Sequence, residues 1–204
     1  STALAQERVL RFHHILPEYS PPQPKIFLPW SKRIAEASNR RLRISVAGGM
    51  RLGGKPNELL SQVESKYVDM AWILAAYSPG RFPRLEVFEL PFIASSRASV
   101  TSQALFEYYE TYARDELSNV HVLNVWCHPS GVILNRDKPI LRPSDVAGRV
   151  MRVPSDVIGE LFSNIGATPK ATTVTQVLNL LKQGEIAGTL LPYECHEGNY
   201  ALRQ

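Results

Sequence analysis

Residues 149–166 read RVMRVPSDVIGELFSNIG, and this stretch decides the fold. Val150, Met151 and Val153 make a short apolar run that predicts a strand, with Arg152 set inside it. Pro154 is suited to the first turn of a helix, because its ring pre-sets the helical φ and its missing N–H is not needed there. Val157, Ile158, Leu161, Phe162 and Ile165 then recur at three- and four-residue spacing, which gathers them on one helix face. Gly166 is a natural stop, since glycine takes the left-handed conformation that ends helices. The stretch is a strand–turn–helix unit.

The same rhythm extends in both directions. Toward the C-terminus, Val174, Val177, Leu178 and Leu181 predict a helix stopped by Gly184, and residues 186–191 predict a strand. Toward the N-terminus, strands are expected at 131–135, 120–126, 68–74, 42–46 and 9–14. The run at 68–74 is nearly all apolar and reads as a strand covered on both faces, with Trp72 in the core. Helices are expected around Leu105, Tyr109, Tyr112 and Leu117, after Pro56 with Leu59, Leu60, Val63 and Tyr67 inward, and around Phe27, Trp30, Ile34 and Ala37 with Pro29 in the first turn. Strands alternating with helices define an α/β fold with helices packed on mostly parallel sheets. The alternation fails at 127–143. A boundary there predicts two lobes, 8–127 and 128–204, with a ligand cleft between them, after an N-terminal segment 1–7. Ala3-Leu4-Ala5 has the small-x-small form of a signal-peptidase site, which predicts a periplasmic protein whose signal peptide has been removed.

Composition excludes several classes. The chain has 204 residues, 44% hydrophobic and 21% charged, which suits a packed core and argues against disorder. No apolar run reaches the eighteen residues of a membrane-spanning helix. The net charge of +4 is too dispersed to indicate nucleic acid. Arg40, Arg41 and Arg43 stand at a helix end, where cations complement the dipole, and read as a solvated face. Cys127 and Cys195 lack metal-site spacing; they are either one bridge or two small buried residues. No phosphate loop, dinucleotide fingerprint, nucleophile elbow or zinc-protease helix is present. The pairs Gly48-Gly49 and Gly53-Gly54 read as turn glycines.

In open α/β sheets ligands bind beyond the carboxyl ends of strands. That rule selects His13, His14, Leu74, Tyr77, Trp126, His128, Arg152, Tyr193 and Glu194. His13 and His14 are adjacent on a strand and point to opposite faces, so they do not share a metal. The reading is one buried and one exposed histidine, with either a candidate hydrogen-bond donor to a ligand. Arg152 is the strongest candidate. A guanidinium at a strand's carboxyl end, beside a helix start, can hold a carboxylate by two parallel bonds. The alternative is an internal ion pair with Asp69, Glu194 or another acid. Tyr77, Trp126 and Tyr193 are candidates for contact with the body of the ligand.

Several segments, taken in order, resemble the extracytoplasmic solute-binding subunits of tripartite ATP-independent periplasmic (TRAP) transporters, the DctP-like family. They are LRFHH at 10–14, LGG at 52–54, VDMAW at 68–72, GRFP at 80–83, FELPF at 88–92, KPI at 138–140, DVAGRVMRVP at 145–154, GATP at 166–169 and QGEIAG at 183–188. The resemblance covers residues 8–194. It implies a two-lobed periplasmic-binding-protein-like fold that captures a small organic acid and delivers it to membrane-embedded permease subunits. It implies no catalysis, no cofactor and no nucleic-acid partner. The family's carboxylate-clamping arginine falls on Arg152. The chain stops short of the family's usual C-terminal portion, which reads as a truncation or incomplete coverage.

Three departures shape the expected ligand. Val132 takes the approximate place of a second arginine, Leu191 the place of an asparagine, and Leu74 that of a polar residue in sialic-acid-binding relatives. A more apolar pocket predicts a monocarboxylate with an apolar or aromatic body. The competing readings are an enzyme of similar fold using His13, His14 or His128 as acid–base groups, and a ligand-sensing domain.

Overall fold

The computed structural model describes residues 7–192. The chain divides into two compact units, Ser1–Ile73 and Leu74–Gln204. The boundary expected after residue 127 falls within the second unit, in a segment that is neither helix nor strand. The N-terminal segment through residue 6, Tyr193, Glu194 and Cys195 lie outside the described residues.

The first unit holds a sheet of three strands: β1 (Arg8–His14), β2 (Leu42–Ala47) and β3 (Met70–Trp72), in the order β2-β1-β3. All pairings are parallel. Helices α1 (Leu28–Ala37) and α2 (Leu59–Glu64) connect them. A wide helical turn at Gln23–Phe27 feeds α1, and Pro29 sits in the first turn as expected. The apolar spacing of α1 has a clear target: Phe12, Phe27 and Val46 form a buried cluster against which Trp30, Ile44, Met70 and Trp72 pack. Phe12 meets Phe27 edge-on, with ring centroids 4.9 Å apart, a favoured aromatic arrangement.

Three expectations change here. β3 is a three-residue edge strand with both faces half-buried, not a seven-residue covered one, because the chain turns out of the ladder at Leu74. Tyr67 lies past the end of α2 and is 53% exposed; its hydroxyl donates to the Leu52 carbonyl at 2.8 Å. His13 and His14 are both fully buried. The carboxyl end of β1, unlike its exposed start, is buried on both faces, so neither histidine reaches water. The reading of Arg41 as a helix-end cation holds, since its Nε donates to the Ser38 carbonyl at 3.1 Å.

The second unit holds a four-stranded sheet of β4 (Gly131–Asn135), β5 (Val150–Val153), β6 (Thr168–Ala171) and β7 (Gly188–Pro192), in the order β4-β7-β5-β6. β5 pairs in parallel with both β6 and β7; β4 runs antiparallel to β7. The helices are α3 (Ala98–Tyr108), α4 (Asp156–Asn164) and α5 (Val177–Lys182). Helix α4 packs Ile158 and Phe162 on Met151 and Val153, with Val146 and Ala167 completing the core. Its cap is Ser155, one residue after Pro154: the Ser155 Oγ accepts from the Ile158 N–H at 3.3 Å, a contact whose loss typically costs about 1 kcal/mol. Gly166 ends the unit at φ +84°, a conformation that a side chain would strain.

The expected strand at 120–126 is not found: the segment is neither helix nor strand and joins no ladder among the described residues. Strand β6, with sequence TPKA, carries no alternating apolar pattern and is not predicted by one. Tyr112 is 58% exposed rather than inward. Among the described residues no helix is long and apolar enough to cross a membrane.

Candidate functional site

The register of the second sheet places the chemistry. Arg152 on β5 pairs with Thr189 on β7. Thr189 pairs in turn with Leu134 on β4, and Leu191 pairs with Val132. Paired residues share a face, and so do alternate residues along a strand. Arg152, Thr189, Leu191, Val132 and Leu134 therefore occupy one face of the sheet. Met151, Val153 and Leu190 occupy the other, packed in the core with α4. With strands about 4.8 Å apart, a cation stands about 10 Å from the strand of Val132, with β7 between them.

Arg152 is 1% exposed. Its Nε donates to the Thr172 carbonyl at 2.8 Å, and Nη1 donates to the Leu190 carbonyl at 3.1 Å. Nη2 donates to the Tyr77 hydroxyl at 3.3 Å, which also accepts from the Val174 N–H at 2.8 Å. A guanidinium is charged at any physiological pH, so its burial has to be matched by acceptors. Here those acceptors include neutral carbonyls and a hydroxyl, which orient the planar fork. Asp69, one proposed ion partner, instead accepts from the Arg11 backbone N–H at 2.8 Å and lies 3.6 Å from the Arg11 Nε.

Sequence patterning gives little hint of one neighbouring feature. Glu89 accepts a short hydrogen bond from the Ser155 hydroxyl, at the start of α4. Burial pushes the Glu89 carboxyl above the usual range; the Ser155 bond and the charge of His128 oppose that, and Glu86 adds to it. Ser155 itself is legible as a cap from its place before the apolar run. Its acidic partner, 66 residues away in sequence, is not.

Other candidates scatter. Leu74 is half-buried and begins the short helical turn Ala75–Tyr77. Trp126 is 42% exposed. His128 is exposed, with Nδ1 2.6 Å from the Pro129 carbonyl. Cys127 is half-buried, and burial raises its thiol.

His13 and His14 belong to the first unit and are engaged within it. His13 Nε2 accepts from the Leu52 N–H at 3.3 Å, which leaves its Nδ1–H to donate to Gln62 Oε1 at 2.7 Å. Gln62 passes the connection on by donating to the Gly53 carbonyl at 3.0 Å. His14 Nε2 lies 2.8 Å from Gln23 Oε1, and its Nδ1 is buried with no hydrogen-bond partner among the described residues. Burial lowers the His14 pKa, so the neutral ring is favoured. Gly48 closes this corner: a Cβ there would lie 2.6 Å from Gln23 Oε1 and 2.7 Å from the Leu16 carbonyl. Among the described residues no cluster of His, Cys, Asp and Glu is arranged to hold a metal.

The family of bacterial extracellular solute-binding proteins, family 7 (DctP), matches residues 12–199. The chain belongs to this family. A marine metagenome TRAP solute-binding protein, described as specific for aromatic acid ligands and solved with 3-hydroxybenzoate, is 40% identical with a TM-score of 0.91 over 95% of this chain. A TRAP solute-binding protein from Rhodoferax ferrireducens T118, solved with copurified benzoate, is 33% identical with a TM-score of 0.90 over 94% of it. The outer membrane transporter protein TsaT of Comamonas testosteroni is 25% identical over 165 residues, 80% of this chain. The chain spans 60%, 59% and 48% of the lengths of these three relatives. The α/β class expected from the sequence is that of these DctP relatives. They are described as binding and transport proteins, not as enzymes.

Proposed function

We propose that this chain is the ligand-holding part of a periplasmic TRAP solute-binding protein that captures an aromatic or otherwise apolar monocarboxylate and passes it to membrane-embedded permease subunits. The observation that carries the reading is one sheet face. Arg152, buried and oriented by carbonyls, shares that face with Leu191 on the next strand and Val132 one strand further, and these two are paired in register between β7 and β4. The two departures from the family pattern are thus a single apolar patch. A carboxylate on the Arg152 fork leaves the rest of the ligand over that patch. The aromatic acids bound by the two solved relatives named above support the same class.

A second ligand carboxylate would need its own buried partner, because an unpaired buried charge costs several kcal/mol. The test is calorimetric titration of the full chain with benzoate and with succinate at one pH and one salt concentration. Benzoate is expected to bind at least tenfold more tightly, about 1.4 kcal/mol. Succinate binding as tightly as benzoate would overturn the monocarboxylate reading.

A further inference from the structure

The structure assigns Tyr77 a positioning role: its hydroxyl locks the Arg152 guanidinium to the start of the helical turn at Val174, and so prepares the fork before a ligand arrives. This rests on Arg152 being the carboxylate receptor, and it gives Tyr77 a role distinct from contact with the body of the ligand. A phenol oxygen has two lone pairs, and both have a donor here: Arg152 Nη2 at 3.3 Å and Val174 N–H at 2.8 Å. Three chain segments then converge on one cation. Thr172, just past β6, takes Nε; Leu190 of β7 takes Nη1; Tyr77 takes Nη2. The third contact differs from the other two, because it comes from a side chain that evolution or an experimenter can change without altering the backbone. Phenylalanine would fill the same buried volume and offer no acceptor.

Val174 is the first residue of the turn Val174–Gln176, which leads into α5. An N–H in the first turn has no helical partner, so the Tyr77 oxygen serves two needs with one atom. A flexible arginine must lose rotamer freedom when it grips an anion. One held in place beforehand loses less, and affinity rises accordingly. On this assignment Tyr77 acts through Arg152.

The decisive experiment compares wild type, Tyr77→Phe and Arg152→Lys in the full chain. Arg152→Lys identifies the Arg152 side-chain signals in NMR spectra by their disappearance. In wild type without ligand, the Arg152 Nη protons are expected to be resolved, slow to rotate and close to the Tyr77 ring. In Tyr77→Phe they should coalesce, and benzoate affinity should fall about tenfold. Arg152 signals unchanged in Tyr77→Phe, or benzoate affinity unchanged while only the melting temperature falls, would overturn the assignment. If Tyr77→Phe does not fold, the wild-type spectrum decides: fast-rotating Nη protons with no contact to Tyr77 overturn it. Wild type that ignores benzoate would instead defeat the ligand reading, and the spectra would still settle what Tyr77 does.

Discussion

The carboxyl ends of β1 and β5 both carry buried polar side chains, and they differ in how those side chains are satisfied. At the end of β1, His13 forms neutral hydrogen bonds with Gln62 and with the Leu52 N–H. Its donor and acceptor each have a match, and the pair holds the loop around Gly53. At the end of β5, Arg152 carries a permanent positive charge, and its partners include two carbonyls and a hydroxyl. Burial of a polar group at a strand end is therefore no sign of a ligand in itself. What separates the two ends is chemistry: a guanidinium is a permanent cation with a planar fork of donors, and the imidazole that accepts from the Leu52 N–H is not.

The largest effect should come from the β5 end. Arg152→Lys keeps the charge and loses the planar fork, and benzoate affinity should fall by roughly 1.5–3 kcal/mol in calorimetry, the worth of a charge-assisted bond. Unchanged binding would remove the distinction between the two ends. Next is His13→Leu. It leaves the Leu52 N–H and Gln62 without their partner, and unfolding in urea should show a loss of about 1–3 kcal/mol at an unchanged denaturant slope. Benzoate affinity should stay within about threefold. A drop as large as that of Arg152→Lys would make the β1 end part of the binding site and break the contrast.

The smallest effect is in pH dependence. His14 has a folded-state pKa lowered by burial and by His13, with the Gln23 bond and Glu18 acting the other way. The unfolded chain therefore takes up a proton first as pH falls through the ordinary histidine value of 6.5. Stability should be full above that pH and decline below it, with a slope of at most about 1.4 kcal/mol per pH unit for one proton. Glu89 in the second unit has the opposite sign. Its pKa is raised in the fold, so the folded state takes up its proton first and gains relative stability on acidification. Unfolding measured from pH 7.5 to 5.5 should show a shallower decline in His14→Gln than in wild type. Parallel profiles would mean that His14 is not the group that titrates.

The contrast also marks what the sequence can show. Strands β1, β5 and β7 and helix α4 are legible because their apolar spacing matches the period of the element. Residues 120–126 have the composition of a strand but find no ladder partner, and composition carries no information about partners. Strand β6 is the reverse case: TPKA lacks the composition and gains its ladder from β5. Arg152 is legible because an arginine in an apolar strand is costly and calls for a reason. Its carbonyl partners at Thr172 and Leu190 are not, since backbone atoms carry no sequence signal and meet only through register. The adjacency of Val132 and Leu191 is likewise a property of the antiparallel pairing, which two separate substitutions in a sequence do not reveal.

Strand β6 has a further consequence, for how this protein behaves in a crowded compartment. Thr168 and Thr172 direct their N–H groups toward β5, to the carbonyls of Arg149 and Val153 at 2.8 and 3.2 Å. With a period of two, positions 169 and 171 face outward, on the strand that ends this sheet among the described residues. Position 169 is proline, which has no N–H to offer. A foreign strand approaching that border would find one of the two outward donors missing and Lys170 beside it, ion-paired with Glu185. The residue that hides β6 from pattern recognition thus also makes it a poor template for intermolecular strand addition, the first step of edge-to-edge aggregation.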